Sequence, residues 1–163
     1  MSCEITERTS NSVVTVVGIL SQLFGVNDRW AVIGSANLAI RGEKIQPSDI
    51  DIITTPDTAD RLAVSISHMA CLDFALSTSK TIQSYYATTT VCGMSIDVMA
   101  DAAILTRNGT WQRLDAWSKS IEYVQTKAGL VPLTTLAFER NVYLLLGDRE
   151  RVQRIDSTWG TAV

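Results

Sequence analysis

The chain has 163 residues, 46% of them hydrophobic and 19% charged, with a formal net charge of -3. That length suffices for one buried core, and the absence of low-complexity tracts sets aside a disordered or fibrous protein. The slight acidity gives no electrostatic case for a nucleic-acid binder, because neutralising phosphates takes a basic surface.

From about Ser10 to Phe24 the apolar positions fit a core helix, although the β-branched run Val13 to Val17 opposes it. The stretch "SVVTVVGILSQLFGV" is too short to span a bilayer, which takes about 20 apolar residues. Glu4 and Glu7 stand where a signal peptide would be basic, so the expectation is a cytoplasmic protein with no membrane contact. "RWAVIG" reads as a buried strand ending at Gly34. "SANLAIRG" reads as a short helix with Ser35 as N-cap and Gly42 as its stop. "SDIDIITT" is the next strand, announced by Pro47. Pro56-Asp57 then opens an amphipathic helix with Leu62, Val64, Ile66 and Met69 among its apolar positions.

The middle of the chain is strand-rich. "DFALST", "IQSYYATTTVCG" and "MSIDVMA" are β-branched or aromatic, with a tight connection at Cys92-Gly93-Met94. Asp101 is expected at a helix N-cap or turn, and Asn108-Gly109 forms a turn. "IEYVQT" and "GLVPL" make two short strands around Lys127-Ala128-Gly129. The tail from Thr134 to about Ile155 is helical and breaks at Gly147. Its inward stripe is Leu136, Val142, Tyr143 and Leu146. The expected architecture is α/β (α+β), a mixed sheet flanked by helices in a single domain over 1–163. Its core covers about 28–100 and a strand-helix extension about 101–163.

Cys3, Cys71 and Cys92 show no zinc spacing and are expected as free, mostly buried thiols. His68 is expected at the surface or an interface. Trp111, Trp117 and Tyr123 are expected to fill core or a subunit interface, and Tyr85-Tyr86 to be ordinary strand residues. Arg149, Arg151 and Arg154 make a solvated helix face, paired with Asp148 and Glu150; contact with phosphate is the minority reading.

Chemistry concentrates in "WAVIGSANLAIRGEKIQPSDIDIITTPD". Side chains alternate along a strand, so Asp49 and Asp51 share one face, roughly 7 Å apart at a rise of about 3.3 Å per residue. Two like charges that close repel, and a divalent cation removes the cost. Asp97, between Ile96 and Val98, adds a third carboxylate if its strand lies beside theirs. Three acids can hold two metal ions about 3.5–4 Å apart for phosphoryl or nucleotidyl transfer. Gly34 allows close backbone approach to a phosphate, Ser35 adds a hydroxyl, and the helix start adds N–H groups. Arg41 and Lys44 lie between and are candidate phosphate contacts.

Gly34-Ser35, then Asp49-Ile50-Asp51-Ile52, then Asp97, resembles the DNA polymerase beta-type nucleotidyltransferase superfamily. The texture is closest to its small members, the minimal, antitoxin-type and aminoglycoside or lincosamide nucleotidyltransferases. The resemblance covers Trp30 to about Met99, and less closely the tail. It implies Asp49 and Asp51 as metal ligands, Asp97 as third ligand or base, and Gly34 and Ser35 as the triphosphate pair. It also implies Mg²⁺ or Mn²⁺ and transfer of an NMP from an NTP to a hydroxyl on a small molecule, protein or RNA end. Two departures leave the acceptor open: no further acceptor-binding domain is evident, and Glu139-Arg140 stands where a lysine is expected. The alternatives are a non-catalytic nucleotide-binding or antitoxin-like module acting on a toxin-like partner protein, and a homodimeric drug-modifying enzyme.

Overall fold

A computed structural model describes the backbone of residues 2–160 and the side chains of 12–160. The first helix, α1 (Ser2–Ser21), begins well before the expected Ser10. Val13, Val16, Val17 and Leu20 are at most 2% exposed, so packing overrides the weak helix preference of the valine run. Each such buried side chain contributes about 1.5–3 kcal/mol. Strand β1 (Trp30–Ile33) runs into α2 (Gly34–Ile40), followed by β2 (Asp49–Thr54) and α3 (Pro56–Ile66). Next come β3 (Ala75–Thr78), β4 (Ile82–Val91), β5 (Met94–Leu105) and β6 (Trp111–Arg113). A 3₁₀ turn over Asp115–Lys119 leads to β7 (Ile121–Thr126), β8 (Gly129–Thr134), α4 (Leu136–Leu146) and α5 (Arg149–Trp159).

The strands form one mixed sheet in the order β3-β4-β5-β2-β1-β8-β7, with β6 added beside β5. Its middle is set by β2, antiparallel to β1 and parallel to β5. One face of the sheet, carrying Val32, Ile50, Ile52, Ile96 and Val98, packs on α1 and α3. The opposite face, carrying Ala31, Ile53 and Met99, packs on Phe138 and Val142 of α4. The period-2 alternation of β2 therefore sends its isoleucines at 50 and 52 into one core and its aspartates toward α4. Among the described residues, no helix is long and apolar enough to cross a membrane.

Several expectations change. Ser35 does not cap α2: the cap position is Ile33, without a side-chain bond, and Ser35 lies inside the first turn. The tight β1–α2 junction leaves no extended residue after the glycine. Asp101 is a strand residue, not a cap. It sits in β5 with φ 52, where two residues of β5 oppose one of β4 between the Gln83–Ala103 and Tyr85–Ala100 pairs. That is a β-bulge, and aspartate tolerates its left-handed residue better than most. Val64 and Met69 face solvent, because the buried stripe of α3 is Thr58, Ala59, Leu62 and Ile66 and the helix ends before Met69. Cys71 and Cys92 are exposed, Cys92 because it occupies the two-residue β4–β5 turn with Gly93; the Cys3 side chain lies outside those described. Trp117 is buried, whereas Trp111 and Tyr123 are exposed.

Candidate functional site

The parallel pairing of β2 with β5 aligns Asp51 with Asp97 and Asp49 with Ser95. Three carboxylates therefore share one sheet face, with Asp49 one pleat along from Asp51. Asp97 Oδ1 accepts a hydrogen bond of 2.9 Å from the Tyr86 hydroxyl, which fixes one oxygen and leaves the other unassigned. Asp51 is pushed up to about 7, first by burial and then by the charges of Asp49, Asp97 and Glu139, with Arg151 opposing. Like charges crowded in a half-buried place favour a proton or a cation there.

Gly34 closes the β1 end of this face. Its φ is +73°, and a Cβ added there would lie 2.8 Å from Asp51 Oδ2. Only glycine brings the backbone that close to the carboxylate in that conformation. Gly34→Ala is expected to cost about 1–3 kcal/mol through the left-handed backbone and displaced carboxylate. Urea unfolding reads this directly, and an unchanged midpoint would remove the close approach as a constraint.

The Gly34 N–H is not free for a phosphate. It donates to both oxygens of Glu139, at 3.2 and 3.1 Å. Glu139 is 1% exposed. It also accepts from Asn37 Nδ2 at 3.0 Å and from the Thr134 hydroxyl. Burial pushes Glu139 up to about 7 against the pull of Thr134, Gly34, Asn37 and Arg41. Asn37, fully buried, donates further to the Thr134 carbonyl at 2.9 Å. Glu139 thus ties α4 to α2 and β8 behind the acids, at the point where β1 passes into α2. The sequence signal for it was there: Glu139 falls three residues after Leu136 and three before Val142, on the buried stripe of α4.

Arg41 is committed elsewhere. Its Nε donates to Asn37 Oδ1 at 2.7 Å, its Nη2 to the Thr134 carbonyl at 2.9 Å, and it pairs with Glu122. Lys44 is exposed on the loop after α2. The cation that does reach the acids is Arg151 of α5, which lies over the Tyr143 ring at 5.2 Å from its centroid. Arg151 lines the cavity holding Gly34, Asp51 and Asp97. It also lines a neighbouring depression with Ser35, Ser48 and Arg154, where Asp148 and Glu150 pair with Arg151 and Arg154 at 3.4 and 3.2 Å and would have to yield them to another anion. The basic face of α5 is therefore partly turned toward the site, which its charge pattern alone did not distinguish from a solvated helix.

The donor set suits a hard divalent cation, since it consists of carboxylate oxygens repelling one another. Among the described residues, no three such side chains stand gathered as a ligand cluster.

No family model and no curated protein matches the chain by sequence. Solved structures do match it. A candidate nucleotidyltransferase from Thermotoga maritima superposes with a TM-score of 0.69 at 23% identity, over 90% of this chain and 89% of that one. The chain has the nucleotidyltransferase fold. ANT(2'')-Ia, solved with adenylyl-2''-tobramycin, superposes with a TM-score of 0.62 at 11% identity, over 93% of this chain and 91% of that one. The lincosamide antibiotic adenylyltransferase LnuA, solved with lincomycin, gives 0.53 at 9% identity, over 88% and 93%. Identities this low carry the nucleotidyltransferase fold and leave the chemistry to be argued from the chain's own residues.

Proposed function

We propose that this chain is a metal-dependent nucleotidyltransferase that moves an NMP from an NTP to a hydroxyl and releases pyrophosphate. The observation that carries the reading is the register of β2 on β5, which puts Asp51 level with Asp97 and Asp49 on the same face. Asp49, Asp51 and Asp97 would hold Mg²⁺, or Mn²⁺ in its place. When bound, such an ion screens phosphate charge and lowers the pKa of an oxygen it touches.

The chain's own residues supply the rest. Ser35, Arg151 and Arg154 line the polar depression beside the acids and would take the β- and γ-phosphates. Asp97, with Oδ1 held by Tyr86, would present Oδ2 to the acceptor hydroxyl and take its proton. The acceptor oxygen bonds to the α-phosphorus as the α–β bridging P–O bond breaks. The pyrophosphate charge then falls to Arg151 and Arg154. Gly34 and Glu139 position Asp51 and do not react.

Calorimetric titration with a non-hydrolysable ATP analogue, with and without Mg²⁺, tests the site. Binding that requires Mg²⁺ and disappears in Asp51→Asn is the expected result. Mg²⁺-independent binding, or none, would remove the metal assignment. A second reading, a nucleotide-binding module acting through a partner protein, draws on exposed Tyr123 and Leu130 near the β7 edge of the sheet. Nucleotide-dependent complex formation without pyrophosphate release would select it.

A further inference from the structure

A cavity of about 430 Å³ opens on the Asp97 side of the acids. That lies within the range of about 300–1,000 Å³ usual for small-molecule sites. Much of its wall is apolar, with Met99, Ala102 and Ile104 of β5 and Phe138, Val142 and Leu146 of α4, while Ser77, Ser79, Ser84 and Tyr86 add hydroxyls from β3, β4 and the turn between them. The charged groups on its wall, Asp51, Asp97, Glu139 and Arg151, gather at one end, and Glu139 already has its donors. Tyr143 also lines the cavity and is 2% exposed; Arg151 beside it can only donate, so the Tyr143 hydroxyl proton has no acceptor. A buried hydroxyl proton without an acceptor is rare and calls for one. Burial and the Glu139 charge hold that phenol well above its ordinary range, so it stays a donor.

We propose that this cavity holds the acceptor, and that the acceptor is an uncharged, mainly apolar small molecule bearing one hydroxyl at its polar end. The assignment rests on the nucleotidyltransferase reading above. In-line displacement puts attacking and leaving oxygens on opposite sides of the phosphorus. With Ser35 and Arg154 taking the pyrophosphate on one side of Arg151, the attacking hydroxyl must come from the other, where the apolar cavity lies. A polycation could meet counter-charge at the acid end only, at Asp51, Asp97 and Glu139, and its remaining charges would lose hydration to Met99, Ile104 and Phe138. A nucleic-acid strand would bring phosphates toward three carboxylates with Arg151 as the cation on the cavity wall. Tyr143 would donate to a second oxygen of the acceptor or to its hydroxyl, steering the latter to Asp97 Oδ2. The step balances as before, with the acceptor proton on Asp97 and pyrophosphate leaving.

The test uses 2-(2-naphthyl)ethanol as the apolar alcohol, with tobramycin and a thymidine hexanucleotide as competitors. Binding is followed by naphthyl fluorescence, and Mg²⁺·ATP-analogue binding by calorimetry. Two variants narrow the cavity, Ala102→Phe within it and Leu146→Trp at a half-exposed position, and circular dichroism checks that each folds. Leu146→Trp carries the test if Ala102→Phe does not fold. Expected are at least about tenfold weaker alcohol binding in the narrowed variants, nucleotide binding within about twofold of wild type, and no displacement by either competitor. Tyr143→Phe should weaken the alcohol about three- to tenfold, the worth of one hydrogen bond. Equal loss of alcohol and nucleotide binding would overturn the proposal, because the cavity would then hold the nucleoside. So would displacement by tobramycin or the hexanucleotide, or absence of alcohol binding to wild type. Alcohol binding by a wild type that binds no Mg²⁺·nucleotide would overturn the nucleotidyltransferase reading itself, and the acceptor role with it.

Discussion

Asp51→Asn should lose catalysis and gain stability at once. The change removes a carboxylate proposed to hold the metal from the centre of the acid face, and on that reading turnover is expected to fall on the order of a thousandfold, about 4 kcal/mol of barrier. The stability effect has the opposite sign. Asp51 rises from 3.8 unfolded to about 7 folded. A carboxyl with a raised folded pKa contributes stability that is full below pH 3.8 and is lost as pH climbs through about 7. Metal-free wild type should therefore weaken between about pH 4 and pH 7, by on the order of 2–4 kcal/mol from this one group. Asp51→Asn should flatten much of that slope. Some slope should persist, since Glu139 also titrates upward, from 4.5 to about 7. Mg²⁺ should restore wild type at pH 8 and leave the variant nearly unmoved. Urea unfolding at pH 5 and pH 8, with EDTA or Mg²⁺, separates these outcomes. Parallel wild-type and variant curves in EDTA would mean that Asp51 is not strained by its neighbours, and the electrostatic argument for a cation would fall.

How far this site could be read from sequence depended on how local each constraint is. Asp49-Ile50-Asp51-Ile52 and Ile96-Asp97-Val98 declare their faces by simple alternation, because a strand leaves each side chain one of two directions. That β2 and β5 are neighbours is a matter of topology, yet both had to bury one isoleucine face on the same helices, and the pairing followed. Gly34 was legible as a turn, but not its contact with Asp51. Ser35 was misplaced because a serine before an apolar run is an N-cap signal, and the cap here falls two residues earlier, at Ile33. The exposed thiols and the Asp101 bulge escaped for a related reason: residue type hints at burial or turn, while strand register decides it. Arg41 looked free for phosphate because two of its three partners, Thr134 and Glu122, lie far along the chain. Glu139 acts on Gly34 from 105 residues away, so no local pattern could name its partner. Its place on an otherwise apolar stripe nonetheless marked it as a buried acid in need of donors.

Those donors make Glu139 the residue whose loss should cost the fold most. Glu139→Ala would leave the Gly34 N–H without its acceptor, strip Asn37 and the Thr134 hydroxyl of one partner each, and open a cavity. Removing one member of a buried charged network typically costs about 3–5 kcal/mol. Some is returned, because burial alone already raises the Glu139 pKa and the charge is held at a cost. A net loss of about 3 kcal/mol is expected at pH 7. Glu139→Gln keeps the volume, but both carboxylate oxygens accept from Gly34, and one of them also accepts from Asn37 and Thr134. The amide must therefore turn an N–H toward a donor, and about 1 kcal/mol is expected. Both changes also remove a charge that raises Asp51, so the pH at which metal-free stability falls should move downward. Denaturant unfolding across pH, compared with wild type, reads size and direction together. If Glu139→Ala unfolded within about 0.5 kcal/mol of wild type, as an ordinary surface change does, the network would not be holding the Gly34 turn. The close approach of Gly34 to Asp51 would then need another cause.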